Sequence, residues 1–103
     1  MTARGVHHVG LAVADLDAAI ATYTTLLGAT LEHRALLADQ GVDAASLCAG
    51  KSRIELLAPT GDDTPVGRFL AKRGEGMHHV AYEVDDVETA LRELAAAGAE
   101  LID

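Results

Sequence analysis

Tryptophan is absent from this sequence, and one Phe and two Tyr are its only aromatic residues in 103. A core must therefore be built from Ala, Val, Leu and Ile, without the large area that buried aromatic rings supply. The single cysteine, Cys48, excludes an intrachain disulfide and fits a reducing, cytoplasmic setting. Basic residues are scarce: eight Lys and Arg against sixteen Asp and Glu give a formal charge of −8, which argues against nucleic acid or an anionic membrane surface as partner. No apolar run approaches the roughly 20 residues of a membrane helix, and the N-terminus lacks the charged-then-apolar pattern of a signal peptide. A soluble, intracellular, single-domain protein is the expectation. The length allows an adequate core but not a generous one.

What the sequence does have is an internal repeat. Residues 5–23 recur as residues 76–94 at a constant offset of 71. His7 matches His78, His8 matches His79, Val9 matches Val80, Val13 matches Val84, Asp15 matches Asp86 and Ala19 matches Ala90. With one residue deleted, the match continues from 26–33 to 96–103. Two copies are too few for a solenoid, so the repeat predicts two modules of one domain.

In the first copy, Val9, Leu11 and Val13 alternate with His8, Gly10 and Ala12, which predicts a strand over 6–13 with one bulky apolar face and one face of small residues. Asp15 is placed to cap a helix whose apolar positions Leu16, Ala19, Ile20, Tyr23 and Leu27 recur at helical spacing until Gly28 ends it. That stripe needs an apolar partner, and the Val9, Leu11 and Val13 face is the nearest one. Three further strands are expected over 29–36, 42–48 and 52–58, joined by turns at 38–41 and 50–51, as an antiparallel meander. In the last of them Ile54 and Leu56 share one face, and Arg53, Glu55 and Leu57 the other.

Both prolines of the chain, Pro59 and Pro65, bound a linker rich in Gly, Asp and Thr. Thr64 as N-cap and Pro65 at the first helical position predict a helix to about Arg73, stopped by Gly74. The second copy opens with a strand over 77–84, His79 and Ala81 lying opposite Val80, Tyr82 and Val84. Asp85 and Glu88 have the spacing of a capping box; Val87, Ala90, Leu91 and Leu94 form a helical stripe, and Gly98 is expected to end it. By its own logic the repeat also predicts a continuation of about 25 residues, including a counterpart of Glu55 about 70 positions further on. The second module is thus expected to be truncated after its helix.

His8 and His79 occupy equivalent places, each on the strand face away from its helix. Modules packed about a pseudo-twofold axis would turn both imidazoles into one cavity, with Glu55 beside them. Two imidazoles and a carboxylate suit a divalent first-row metal ion. Duplication copies a structural histidine as readily as a ligand, so the repeat alone leaves both readings open. By the same alternation His7 and His78 are expected on the helix-facing side, in structural or supporting roles. His33, between Glu32 and Arg34, reads as part of a solvated face. The segment 50–52, Gly-Lys-Ser, is not a phosphate loop: Ala45 stands where its first glycine would be, and the segment joins two strands. Cys48 has no Cys or His nearby in sequence.

These motifs make the chain one that resembles the methylmalonyl-CoA epimerases of the glyoxalase-like vicinal oxygen chelate (VOC) superfamily. The HHVGLAVADLDAAIATY opening is general to the superfamily, whereas DQGVDAASL and RIELLAPTGDDTPVGRFLAKRGEGMHHVAYEVDD are similar to the epimerases specifically. The resemblance implies an α+β fold of paired βαβββ modules in a single VOC-type domain over 1–103, with module one at 5–58, a linker helix at 59–75 and an incomplete module two at 76–103. It implies metal ligands at His8, Glu55 and His79, with a further glutamate from the expected continuation. The ion implied is Co²⁺ or Mn²⁺, with Ni²⁺ or Zn²⁺ as alternatives, in a homodimer acting on an acyl-CoA thioester.

The implied reaction interconverts (R)- and (S)-methylmalonyl-CoA by C2 proton transfer through a metal-stabilised enolate. Some epimerases carry a glutamate, proposed as a base, where this chain has Ala44; Asp43 lies beside it on the opposite face. Which residues move the proton is therefore left open. The alternatives are another enzyme of the superfamily, a glyoxalase I-type lyase or an extradiol dioxygenase, or a metal-free small-molecule-binding module. The linker segment weighs against the first pair, and His8, Glu55 and His79 together weigh against the last.

Overall fold

A computed structural model describes residues 2–96. The chain runs β1 (Ala3–Ala12), α1 (Leu16–Leu27), β2 (Thr30–Leu37), β3 (Val42–Ala49), β4 (Ser52–Pro59), α2 (Pro65–Arg73), β5 (Gly76–Val84) and α3 (Val87–Ala96). The five strands form one sheet in the order β2-β3-β4-β1-β5. The meander β2-β3-β4 is antiparallel, β1 lies parallel to β4, and β5 lies antiparallel to β1. This is the α+β arrangement read from the sequence.

Alternation distributes the strand residues onto two faces as expected. On one face Leu11, Val13, Ala45, Leu47, Ile54, Leu56 and Ala58 meet Leu16, Ala19, Ile20 and Tyr23 of α1. Leu47 and Leu56 are wholly buried there. On the other face Ala12, Val42, Ala44 and Leu57 are covered by Val66, Phe69 and Leu70 of α2. So α2 roofs one end of the face that carries Glu55, and the rest of that face stays open.

The caps follow local chemistry. Asp15 accepts the Ala18 N–H at 3.0 Å, and Gly28 ends α1 in the left-handed region. Thr64 accepts the Gly67 N–H at 3.0 Å, with Pro65 opening α2. For α3 the expected capping residue, Asp85, is incorrect. Its neighbour Asp86 accepts from the Thr89 N–H at 3.2 Å and the Thr89 hydroxyl at 2.8 Å, while Asp85 pairs with Arg4. Asp86 is the repeat counterpart of Asp15, so the duplicated geometry prevails over the capping-box spacing. In α3 Ala90 is buried, while Val87 and Leu91 of its stripe are exposed. Gly98, expected to end this helix, lies outside the described residues.

Arg34 does more than decorate a solvated face. From β2 its guanidinium donates to Asp17 on α1 and to Asp43 on β3, at 3.0 Å for the latter. The hydrogen bonds to Asp43 and Asp17 hold it well above the ordinary arginine range. The helix is thereby pinned to the edge of the sheet.

Candidate metal centre

The centre of the β1–β5 pair carries the symmetry of the repeat. Val9 faces Val80; on one side His8 faces Ala81, and on the other His79 faces Gly10. Each histidine thus lies across from a small residue of the opposite copy. The reason is steric: a Cβ at residue 10 would overlap the His79 ring, so only glycine lets that imidazole lie over the β1 backbone.

Glu55 reaches the same place from β4. The register Gly10↔Glu55 sets it beside β1 on the face away from α1. His8 Nε2 lies 3.2 Å from His79 Nε2 and 3.6 Å from Glu55 Oε2. One ligand atom from each of the three residues falls within 4.8 Å of the others. The histidine and glutamate side chains are 20% and 28% exposed, partly desolvated but still reachable from solvent. Two imidazole nitrogens and one carboxylate oxygen fit a divalent first-row ion in their softness, and the glycine cradle leaves the His79 ring free to face it.

The adjoining cavity has a volume of about 850 Å³, within the range of small-molecule sites. Glu55, His78 and His79 line it together with Gln40, Val42 and Leu57, and Pro65 and Val66 of α2 close one side. Ala44 packs among the apolar residues beneath α2, so no carboxylate stands at that position. Asp43 is on the other face, bound to Arg34.

His7 and His78 are not on the helix-facing side, contrary to the alternation. Between the pairs Val6↔Tyr82 and His8↔Ala81, β1 advances two residues while β5 advances one; between Gly10↔His79 and Leu11↔Met77 the reverse holds. His7 and His78 are the additional residues of two β-bulges, and a bulge re-aims side chains that strict alternation would send apart. His78 accordingly lines the cavity and meets Phe69 of α2 edge to face at 5.0 Å. Desolvation, and then the neighbouring His79, hold it below the ordinary imidazole range. The doubled His-His was the visible signal for this pair; the bulges that set each beside the histidine that follows it were not.

The remaining candidates stay apart from the centre. His33 is exposed on β2. Cys48 is partly buried, its thiol donating to the Gly50 carbonyl at 3.2 Å, and Lys51 and Ser52 are exposed at the β3–β4 turn.

The sequence profile of the Glyoxalase/Bleomycin resistance protein/Dioxygenase superfamily matches residues 7–103. The chain belongs to that superfamily. Within it, the chain is similar to the protein named methylmalonyl-CoA epimerase, mitochondrial, of Homo sapiens, at 39% identity over 90 residues, 86% of this chain and 51% of that one. It spans about half the length of the mammalian relatives it matches. Among solved structures, the methylmalonyl-CoA epimerase of Mycobacterium tuberculosis superposes with a TM-score of 0.91 at 38% identity, covering 98% of this chain and 69% of that chain. A variant of the Streptomyces coelicolor methylmalonyl-CoA epimerase, in complex with 2-nitronate-propionyl-CoA, gives 0.91 at 33% identity, covering 99% of this chain and 77% of that chain. The superfamily usually binds a divalent metal, and His8, Glu55 and His79 form a possible site for one in this member. No described helix is long and apolar enough to cross a membrane.

Proposed function

We propose that this superfamily member acts as a methylmalonyl-CoA epimerase, interconverting the (R) and (S) forms by proton transfer at C2, with His8, Glu55 and His79 holding a divalent ion. The observation that carries the reading is the convergence of those three side chains, two of which, Glu55 and His79, line a cavity large enough for an acyl group. Co²⁺ or Mn²⁺ is the proposed ion, with Ni²⁺ or Zn²⁺ also compatible with nitrogen and oxygen donors. Bound there, it would supply Lewis-acid stabilisation to the negative charge that develops on the thioester oxygen when C2 loses its proton.

The chain's own residues serve this chemistry in separate ways. Val42, Leu57 and Val66 give the cavity an apolar wall, which lowers the local dielectric and strengthens every charge interaction inside. Gln40 places a neutral carboxamide in the same wall, able both to donate to and accept from a substrate carboxylate or carbonyl. Asp43 is engaged by Arg34 on the far face and takes no part. The organisation proposed is module one at 5–58, the linker helix at 59–75 and module two at 76–103. An acyl-CoA thioester as partner, and a homodimer as assembly, are proposed from the likeness to the epimerases. A reducing, cytoplasmic setting is supported by the lone thiol of Cys48.

Deuterium exchange at C2 of methylmalonyl-CoA, followed by NMR in D₂O with Co²⁺ present, tests the reading. Exchange is expected to require protein, metal and His79 together. Exchange at the rate of metal alone, or undiminished in His79→Ala, would overturn it.

A further inference from the structure

The two histidine doublets are built alike. His7 Nδ1 lies 2.9 Å from His8 Nδ1, and His78 Nδ1 lies 3.1 Å from His79 Nδ1. The rings meet edge to face, with centroids 5.1 and 5.4 Å apart. In both doublets the contact engages the Nδ1 side of the second histidine, and that leaves its Nε2 directed toward Glu55 or the other imidazole.

Proton accounting then constrains the tautomers. A neutral imidazole has one N–H and one lone pair. For His8 or His79 to offer Nε2 to a cation, its proton must sit on Nδ1 and find an acceptor there, and the group within reach is Nδ1 of the preceding histidine. Resting on the metal-centre reading above, we infer that His7 and His78 are positioning residues. Each accepts the Nδ1–H of the histidine that follows it and so fixes the tautomer and ring orientation in which Nε2 is free to bind a divalent cation.

Three features of the molecule support this. The acceptor's position is unusual, because successive strand residues normally point to opposite faces; both doublets escape that rule through bulges at His7 and His78. The bulges are themselves related by the repeat, so ligand and orienting partner have been duplicated as a unit. Finally, His7 is exposed, and among the described residues His8 is the one polar partner recorded for it, so it has little to contribute to the core. His78 is braced by the Phe69 ring, which limits its swing away from His79.

The arrangement also has an electrostatic consequence. With both protons held on the Nδ1 sides, two Nε2 lone pairs 3.2 Å apart and a carboxylate oxygen converge on one point. Such a cluster of electron pairs is unfavourable until a positive charge enters it. Without an orienting contact, one proton can move to Nε2 and pair with the facing imidazole or with Glu55, which relieves the empty site and lowers its affinity for a cation.

Calorimetric titration of the metal-free protein with Co²⁺ tests the inference in five variants: His7→Leu, His78→Leu, His7→Asn, His78→Asn and His8→Ala. Leucine removes the acceptor, whereas the asparagine amide oxygen falls close to the position of Nδ1. The leucine variants should bind Co²⁺ about tenfold more weakly or worse, as loss of a ligand's hydrogen-bond partner does elsewhere. The asparagine variants should recover most of that affinity, and the melting temperatures of all five metal-free proteins should stay near that of the parent. Unchanged affinity in the leucine variants, or equal loss in leucine and asparagine variants, would overturn the inference. The His8→Ala variant separates the two levels: Co²⁺ binding that survives it overturns the metal centre itself, whereas loss confined to His8→Ala overturns only the positioning role. Long-range ¹H–¹⁵N correlation on the unaltered protein with Zn²⁺ gives an answer independent of any variant. It should show Nδ1–H for His8 and His79 and Nε2–H for His7 and His78, and the opposite tautomers would refute the assignment.

Discussion

Gly10 decides whether His79 can reach the centre. Any Cβ there would overlap the imidazole, so the ring would have to shift from its place over the β1 backbone. Forcing a methyl group into such a contact costs about 1–3 kcal/mol. Gly10→Ala should therefore weaken divalent-metal binding by about one to two powers of ten, while β1 and β5 remain paired, because alanine is tolerated in a strand. Titration with Co²⁺ beside amide hydrogen exchange of β1 would read both. Unchanged affinity would show that the His79 ring is not confined by β1. The mirror position, Ala81 opposite His8, already carries a Cβ, so the two halves of the proposed centre are not equally tight, and His79 is the proposed ligand more sensitive to packing.

At the scale of single elements, α3 rests on its first turn. Asp86 accepts two hydrogen bonds from Thr89, and these hold its carboxyl below the usual range near 3.8. A carboxyl with a depressed folded-state value stabilises the fold fully above its unfolded value and loses that contribution as pH falls through the folded one. Backbone amides of α3 should therefore lose exchange protection as pH drops below about 4, before those of α1 facing the Leu47–Leu56 core. Asp86→Ala should abolish the difference between neutral and acid pH in α3, and a persisting difference would assign the acid sensitivity to another group. The elements also show where sequence reasoning reaches its limit. Strand faces and the α1 and α2 caps were legible because period-two alternation and cap chemistry are local, and the grouping of His8, Glu55 and His79 because the repeat sets both histidines in equivalent places. The placing of His7 and His78 beside the histidines that follow them was not, since a bulge is a mismatch in register between two strands and exists only once β1 and β5 pair. Asp86 was legible from the repeat and obscured by a competing short-range pattern at Asp85 and Glu88. Arg34 looked solvated because its partners, Asp17 and Asp43, come from two other elements.

Taken as a whole, the molecule places the proposed centre across the joint between its two modules. His8 and Glu55 belong to the first and His79 to the second, and the strands that carry them, β4, β1 and β5, are consecutive in the sheet. A cation bound by all three would therefore fasten β5 to β1 at the point where the repeat's pseudo-twofold axis passes between Val9 and Val80. Because an unfolded chain does not assemble this trio, binding adds to folding stability by mass action: about 2.7 kcal/mol at a metal concentration one hundred times Kd. For a domain of this length that corresponds to a rise in melting temperature of roughly 10–20 °C. The rise should grow with the logarithm of metal concentration, and hydrogen exchange should show it concentrated in β5 and β1, with the β2–β3 pair far from the ion responding least. His79→Ala leaves only the two donors of module one, so it should remove most of the metal-dependent rise while leaving the metal-free melting temperature near its original value. A rise of equal size in that variant would mean that metal binds without joining the modules, and the centre would then have to be sought within module one alone.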